Sequence, residues 1–212
     1  GTPEDYYYHP LVLPEGYGEI NLAPYWYQHL PNVPFADAVS FQGHLCEKHL
    51  APKQITTPEY AHVANYAYHL DAGKFSGMLQ RHCTTKLGVN HIVDHVTGII
   101  SADNGDIAAL TTANSGELSA DLFIDCTGFK SMLLGEHYGI DFLDKKHILF
   151  NDSALATHVP YLNADDPIAS HTISTGQKNG WTWDIGLPTR RGIGHVYSSA
   201  HTTDAEAEIE LR

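Results

Sequence analysis

A short apolar run, residues 122–124, lies near the middle of the chain between two aspartates. It gives way to Cys-Thr-Gly at 126–128. A run of this length that ends in a turn signal predicts a buried strand in a sheet covered on both faces. Gly128 would then lie where ligands approach the main chain in open α/β sheets. An ordinary strand that ends in a turn explains these residues equally well.

Helical and strand patterns precede this run. Alternation over residues 66–70 predicts a short strand. Apolar side chains at helical spacing from Phe75 to His82 predict a helix that packs its stripe on a sheet, and Gly88 is placed as its C-terminal cap. Further strands are expected at 89–93, 96–100 and 107–110, with turns at Asn104-Gly105 and Asn114-Ser-Gly116.

The pattern changes after residue 145. Four segments with strand character follow one another and are separated by polar or Gly/Pro turns. They predict an antiparallel sheet in a second structural unit. Asp204 then opens the acidic first turns of a helix. The four expected strands are 153–161, 168–174, 180–185 and 192–199.

The first 57 residues show little periodicity. They hold an aromatic cluster at Tyr6-Tyr-Tyr8 and several prolines and glycines, which is typical of loops and short helical pieces. The aromatic side chains either line a pocket or anchor the loop. Taken together, the pattern predicts a mixed α/β fold with an antiparallel excursion, in segments 1–57, 58–144 and 145–212.

Composition narrows the possible function. The chain of 212 residues carries 12 Lys and Arg against 25 Asp and Glu, a formal net charge of −13. This charge argues against non-specific nucleic-acid binding and against docking on an anionic membrane. The sequence also lacks an apolar stretch of about 18 residues, as a membrane-spanning helix would need.

Histidines and cysteines give no metal signature. The 15 histidines are scattered, and no spaced pair is backed by carboxylates or cysteines. We therefore expect no metal site. The cysteines number three and lack the spacing of a metal or redox motif, which favours free thiols in a reducing, cytoplasmic setting.

Phosphate-binding motifs are absent from the sequence. Gly16-x-Gly18 and Gly192-x-Gly194 are close glycine pairs, but neither lies between an expected strand and an expected helix. The chain begins with Gly1 and ends inside the expected C-terminal helix. These ends predict that the chain is a segment of a longer protein.

Several motifs, in order, resemble the flavin-dependent tryptophan halogenases. A single match of this kind is weak, whereas the likeness here spans nearly the whole chain. The motifs are Tyr7-Tyr-His-Pro10, Tyr68-His-Leu-Asp71, Gly88-Val-Asn-His-Ile-Val-Asp94, Ala120 to Phe129, Asn151 to Pro160, Gly180-Trp-Thr-Trp-Asp-Ile-Gly-Leu-Pro188 and Gly194-His-Val-Tyr-Ser-Ser199.

The family's Trp-x-Trp-x-Ile-Pro signature corresponds here to Trp181, Trp183, Ile185 and Pro188, with the proline displaced by two residues. This form is similar to a subgroup thought to act on free indoles and other small aromatics. Two tryptophans two residues apart also fit one face of a strand that fills a core. Both interpretations can hold, since such residues can wall off the flavin.

The resemblance implies chemistry beyond what residue patterns show. Reduced FAD and oxygen oxidise a halide to hypohalous acid, which reaches a catalytic lysine and attacks an aromatic ring. A catalytic glutamate assists. The substrate would be tryptophan, free indole or a related small aromatic, and a separate flavin reductase would supply FADH2. A homodimer is a further expectation.

The resemblance also assigns roles to individual residues. His9 matches a histidine that stacks on the substrate's indole ring, and Leu11 stands where some relatives have a second aromatic. Val96 matches a position whose backbone contacts the adenine end of FAD. Thr127 and Gly128 end the strand that faces the nucleotide.

No residue of this chain matches the catalytic lysine or glutamate, which the resemblance places before Gly1 and after Arg212. We therefore expect the chain alone not to halogenate. The implied assignment is an irregular substrate-side segment at 1–57, part of a glutathione-reductase-type FAD-binding domain at 58–144, and part of the substrate-binding domain at 145–212. The alternatives are a flavoprotein aromatic monooxygenase and a non-catalytic remnant or binding module.

Overall fold

The computed structural model describes residues 5–212. They divide into two units at Asp71–Ala72 and at Leu149–Phe150. The first unit contains the described residues up to Asp71 together with Phe150–Arg212, and the second contains Ala72–Leu149. The assignment of segments 1–57, 58–144 and 145–212 to substrate and nucleotide functions stays a prediction.

The N-terminal segment consists of short helices joined by loops, as its composition predicts. Trp26 on the first helix holds the first two helices together. Its indole N–H donates to the carbonyl of Val33 at 2.6 Å, and its ring meets Phe35 edge-on at 5.5 Å. The helices are α1 (Ala23–His29), α2 (Phe35–Val39) and α3 (Gln42–Glu47).

The second unit opens with helix α4 (Ala72–Lys86), and Gly88 follows it at a φ of +70°. The predicted helix and the position of its terminal glycine are confirmed. The predicted burial of its stripe is wrong, because Met78 and Leu79 are exposed and no residue of α4 is buried. Helical periodicity identifies an apolar face, but it does not supply the surface that covers that face.

A three-stranded antiparallel meander follows, with strands in the order β1 (Val96–Ser101), β2 (Ile107–Thr112) and β3 (Glu117–Ser119). Gly105 takes a φ of +90° in the first connection, which explains the turn signal there. The strands predicted at 66–70 and 89–93 are wrong, since both segments are irregular. Alternation and apolar content do not make a strand by themselves, and neither segment has a partner strand among residues 5–212.

Residues 120–127 also form no strand in the described structure, so the predicted buried strand is wrong here. Leu122 and Ile124 are 76% and 78% exposed. A strand exists only through hydrogen bonds to a neighbour, and none of the described residues pairs with this run. A 3₁₀ turn (Gly128–Lys130) and a π-helical turn (Met132–His137) follow it.

The first unit resumes with the antiparallel sheet that the sequence predicts. Its strand order is β4-β7-β6-β5. The expected strand at 168–174 begins five residues later, because residues 168–172 run as a loop beside the end of β6. The strands are β4 (Ser153–Val159), β5 (Ile173–Gln177), β6 (Gly180–Gly186) and β7 (Arg191–Tyr197).

Helix α5 (Asp204–Leu211) covers one face of this sheet and completes its core. His195 and Ala207 are 0% exposed and Tyr197 is 2% exposed. The ring Nδ1–H of His195 donates to the carbonyl of Ala207 at 3.1 Å. Thr203 begins the helix in a capping box with Glu206, which explains why the helix starts where the acidic pattern predicts.

Among residues 5–212, no helix combines the length and apolar character that crossing a bilayer requires.

Candidate functional site

The two signature tryptophans lie on the face of β6 that is opposite to α5. Their ring centroids are 6.2 Å apart. Trp183 pairs with Gly194 of β7, and a Cβ at Gly194 would overlap the indole ring of Trp183. The glycine therefore creates the space that Trp183 occupies. Trp183 is half-buried, while Trp181 is 38% exposed.

Small residues surround this pair on the same sheet face. Across the sheet, Ala156 of β4 lies opposite Gly194 of β7, and Ala154 lies opposite Val196. Both alanines are exposed. The tryptophans thus lie beside small, exposed side chains and are not inside a packed core. The role of Trp181, Trp183, Ile185 and Pro188 as a signature site stays a prediction.

Gly186 explains why the signature here carries glycine after Ile185. A Cβ at this position would lie 2.8 Å from a methyl carbon of Ile168 and 3.3 Å from the hydroxyl of Tyr161. The loop before β5 fills the space that a side chain at 186 would need. The displaced proline, Pro188, lies exposed in the β6–β7 turn.

Three contacts hold the same end of the β6–β7 hairpin. The hydroxyl of Tyr161 donates to the carbonyl of Leu187 at 2.9 Å. His69 Nδ1 lies 3.2 Å from the carbonyl of Gly186, so this nitrogen carries the proton. Arg190 pairs with Asp71 at 3.0 Å. We call Tyr161, His69, Asp71 and Arg190 the hairpin clamp.

The sequence did not reveal the hairpin clamp, since His69 and Gly186 are 117 residues apart. The sequence did contain one signal, because Gly186 stands where the family signature has proline. Glycine in place of proline indicated a changed backbone environment, but it could not name the residues that contact it.

The segment that carries His9 and Leu11 is fixed through its backbone. The amide of Leu11 donates to the side-chain oxygen of Gln42, and its carbonyl accepts from the side-chain amide of Asn65 at 3.1 Å. Gln42 in turn donates to the carbonyl of Asn65 at 2.6 Å. His9 is exposed and Leu11 is 54% exposed, so both side chains remain available to a ligand.

The neighbouring tyrosines serve as anchors. Tyr6 donates its hydroxyl to Glu47 at 2.7 Å, and this hydrogen bond raises the pKa of Tyr6. Tyr8 meets the ring of His171 edge-on at 5.4 Å. Of the two interpretations of this aromatic cluster, the structure shows anchoring of the loop for Tyr6 and Tyr8.

In the second unit, Asp125 organises the turn at Thr127 and Gly128. Its carboxylate accepts from the amide of Thr127 at 3.1 Å and from the Thr127 hydroxyl at 2.6 Å. It also accepts from the amides of Leu133 and Leu134 at 2.9 and 3.1 Å. These hydrogen bonds, first those of Thr127, lower the pKa of Asp125 to about 2.

The turn leaves its main chain open. Gly128 has a φ of +65°, and nothing lies within 4 Å of a Cβ built there. Thr127 uses its hydroxyl within the turn, because that oxygen also accepts from the amide of Met132 at 2.9 Å. Val96, the other expected nucleotide contact, is half-buried at the start of edge strand β1. Across residues 5–212, no group of three or more metal-ligating side chains is arranged to hold a metal ion.

Comparison with known proteins identifies the family. The family model described as tryptophan halogenase matches residues 1–212. The chain belongs to the tryptophan halogenase family. The mixed fold with antiparallel sheets that the sequence predicts is confirmed by solved halogenases of the same fold.

Individual halogenases support this assignment. Tryptophan 7-halogenase RebH of Lentzea aerocolonigenes is 35% identical over 211 residues, which cover 98% of this chain and 39% of that protein. The crystal structure of tryptophan halogenase from Shewanella frigidimarina NCIMB 400 superposes with a TM-score of 0.90 at 56% identity, covering 95% of this chain and 38% of that one. BrvH, a flavin-dependent halogenase from Brevundimonas sp. BAL3, superposes with a TM-score of 0.74 at 30% identity, covering 87% of this chain and 38% of that one.

This halogenase-family chain therefore spans about two fifths of the length of RebH, the curated relative described above. The Thr127–Gly128 turn fits the approach of a flavin nucleotide, because it presents an open glycine backbone on a loop that is hydrogen-bonded to Asp125. The assignment of Val96, Thr127 and Gly128 to cofactor binding stays a prediction.

Proposed function

We propose that this chain is part of an FADH2-dependent halogenase that acts on a small aromatic substrate, namely tryptophan, free indole or a related ring. The observation that carries the proposal is the match of the tryptophan halogenase model over all 212 residues. A separate flavin reductase would supply FADH2. Oxygen and a halide ion would be the other reactants.

The second unit would contribute to cofactor binding. When bound, reduced FAD would supply, with oxygen, the oxidising equivalents that convert halide to hypohalous acid. The residues of this chain would bind and orient it: Gly128 offers its main chain, Thr127 and Asp125 hold the turn, and Val96 borders the edge of the sheet. This pre-organised turn reduces the ordering cost of binding.

The first unit would contribute to substrate binding. An exposed imidazole at His9 can stack on an aromatic ring. Leu11 offers a smaller surface than an aromatic residue, which favours a wider pocket. The tryptophans at 181 and 183 would exclude water from the bound substrate.

The activity test uses the full coding frame that contains these residues. The protein is incubated with FAD, NADH, a flavin reductase and either chloride or bromide, and tryptophan and indole are offered as substrates. We expect halogenated product by mass spectrometry, and none when halide is omitted. Hydroxylated product that forms without halide would establish the aromatic monooxygenase instead. A protein that binds no flavin would be the binding module.

The cofactor assignment has a matched pair of variants. Gly128→Ala and Gly116→Ala both place a side chain at positive φ, +65° and +75°, in open space within the second unit. Their backbone strain is therefore similar. We expect only Gly128→Ala to weaken FAD binding, by roughly tenfold or more, measured by quenching of flavin fluorescence. Equal losses in both variants would show that strain alone is responsible and would remove Gly128 from the site.

A further inference from the structure

A lysine lies over a tyrosine ring outside the site described above. The Nζ of Lys53 is 5.6 Å from the ring centroid of Tyr66. Both residues are half-buried. The hydroxyl of Tyr66 lies 3.3 Å from that of Tyr68, and the two rings meet edge-on at 5.4 Å. One amine is thus held against one aromatic ring.

Two neighbouring side chains, Tyr68 and Lys53, act on the hydroxyl of Tyr66. The hydrogen bond with Tyr68 lowers the pKa of Tyr66, and the positive charge of Lys53 lowers it further. The same hydrogen bond raises the pKa of Tyr68. A phenol oxygen directs electrophiles to the ring carbons beside it, so the geometry of the pair is sufficient.

We propose that Lys53 and Tyr66 form a self-halogenation site, in which Lys53 captures hypohalous acid and passes the halogen to the ring of Tyr66. The inference rests on the proposed function for its supply of hypohalous acid. It adds to that function a covalent modification of the protein itself, on residues that the function does not use.

The transfer balances in two steps. Lys53 first loses one proton to water, and its free amine then attacks the halogen of hypohalous acid. An N–halogen bond forms, and hydroxide leaves with the second amine proton as water. A ring carbon beside the Tyr66 oxygen next attacks the halogen, and the N–halogen bond breaks with its electron pair returning to nitrogen. The ring proton then passes through water to that nitrogen, which restores the amine. The haloamine bridges part of the 5.6 Å between amine and ring.

The first test separates the site from the enzyme reaction. Hypobromous acid is added in small steps to the intact protein without flavin, reductase or NADH, and tryptic peptides are mapped by mass spectrometry. Thiols and thioethers consume the first additions, so labelling is compared after they are oxidised. We expect bromine at Tyr66 before Tyr60, which is 81% exposed but has no part in this pair.

Lys53→Met keeps the apolar stem and removes the amine. We expect it to lower bromination of Tyr66 by roughly fivefold or more while Tyr60 is unchanged. Lys130→Met is the matched control, since it removes a lysine amine from the other unit, and it should leave Tyr66 labelling unaltered. Equal labelling of Tyr66 in Lys53→Met and wild type would overturn the proposal.

Quench timing tests the haloamine itself, because free methionine reduces both hypobromous acid and haloamines. After free reagent has been consumed, a later quench should still increase the label at Tyr66 in wild type and not in Lys53→Met. An unchanged label would overturn the relay. Bromine that appears on Tyr68 in place of Tyr66 would also overturn it.

A second arm uses enzymatic turnover with reductase, NADH, oxygen and bromide. Bromination of Tyr66 that depends on Lys53 supports the proposal. Bromination of added indole without label at Tyr66 overturns self-halogenation and leaves the proposed function standing. If neither indole nor Tyr66 is brominated while reagent still labels Tyr66, the proposed function fails, and self-halogenation during turnover is overturned with it.

Discussion

Two regions differ in how far their apolar side chains are buried. One is the β4–β7 sheet with α5, and the other is the second unit. In the sheet, His195, Tyr197 and Ala207 are almost completely buried. In the second unit, Leu79 of α4 and Ile124 of the central run are 42% and 78% exposed. Both regions have clear sequence patterns, and only one of them covers its apolar face.

The difference lies in where the covering surface comes from. Helix α5 begins seven residues after β7 ends, so the element that buries His195 is its neighbour in sequence. No residue of α4 is buried, and no described residue pairs with 120–127. A periodic pattern thus predicts the type of an element more securely than its burial, because burial depends on a second surface.

Gly194→Ala should have the largest effect, because the added Cβ enters the Trp183 ring and lies 2.6 Å from the carbonyl of Leu155. We expect a loss of about 3 kcal/mol in the free energy of unfolding, measured with denaturant. Gly192→Ala is the control on the same strand and face, where a Cβ has open space. A similar loss in both would show that contact with the Trp183 ring is not the cause.

His195→Ala should follow, because it removes a fully buried ring and leaves the carbonyl of Ala207 without its donor. We expect a loss of about 2 kcal/mol in the free energy of unfolding. His158→Ala, on an exposed position of β4, should change it by less than about 0.5 kcal/mol. Equal effects at the two histidines would contradict the buried contact with α5.

Thr203→Ala should lower stability by about 1 kcal/mol, since the Thr203 hydroxyl caps the amide of Glu206 at the start of α5. The measurement is the thermal midpoint followed by circular dichroism. Thr189→Ala in the exposed β6–β7 turn is the control. If both variants have the same thermal midpoint, the capping box contributes nothing to the attachment of α5.

Asp125→Asn should act locally in the second unit. The pKa of Asp125 is lowered from 3.8 to about 2, so its carboxylate stabilises the folded turn above pH 3.8, and this contribution is lost as pH falls through about 2. In the variant, the amide protons of Leu133 and Leu134 should exchange faster. Their exchange should also lack the acid dependence expected in wild type. Asp121→Asn, in the same unit, should leave both amides unchanged.

Leu79→Ala should have the smallest effect, within about 0.5 kcal/mol, because Leu79 lies on the exposed face of α4. Leu133→Ala in the same unit should cost about 2 kcal/mol, since Leu133 is 8% exposed. Denaturant unfolding of the two variants tests whether the α4 face is uncovered. A large loss at Leu79 would show that this face is packed in solution.

Much of the candidate site could be read from the sequence. Spacing of two residues places Trp181 and Trp183 on one face of a strand, and the glycine at 128 marks an open turn. The residues that shape these features could not be read in the same way. Gly194, Tyr161 and Asp125 act through contacts with residues that periodicity does not connect to them.

By itself, the sequence determined the helix α4, the hairpin turn at Asn104-Gly105, the acidic first turn of α5 and the antiparallel sheet. These features depend on local propensity, turn chemistry and periodicity, which act within a few residues. Only the tertiary structure decided which apolar faces are buried, why residue 186 is glycine, and that Lys53 lies over Tyr66. These facts depend on packing between segments distant along the chain, where the energy comes from surfaces that meet only after folding.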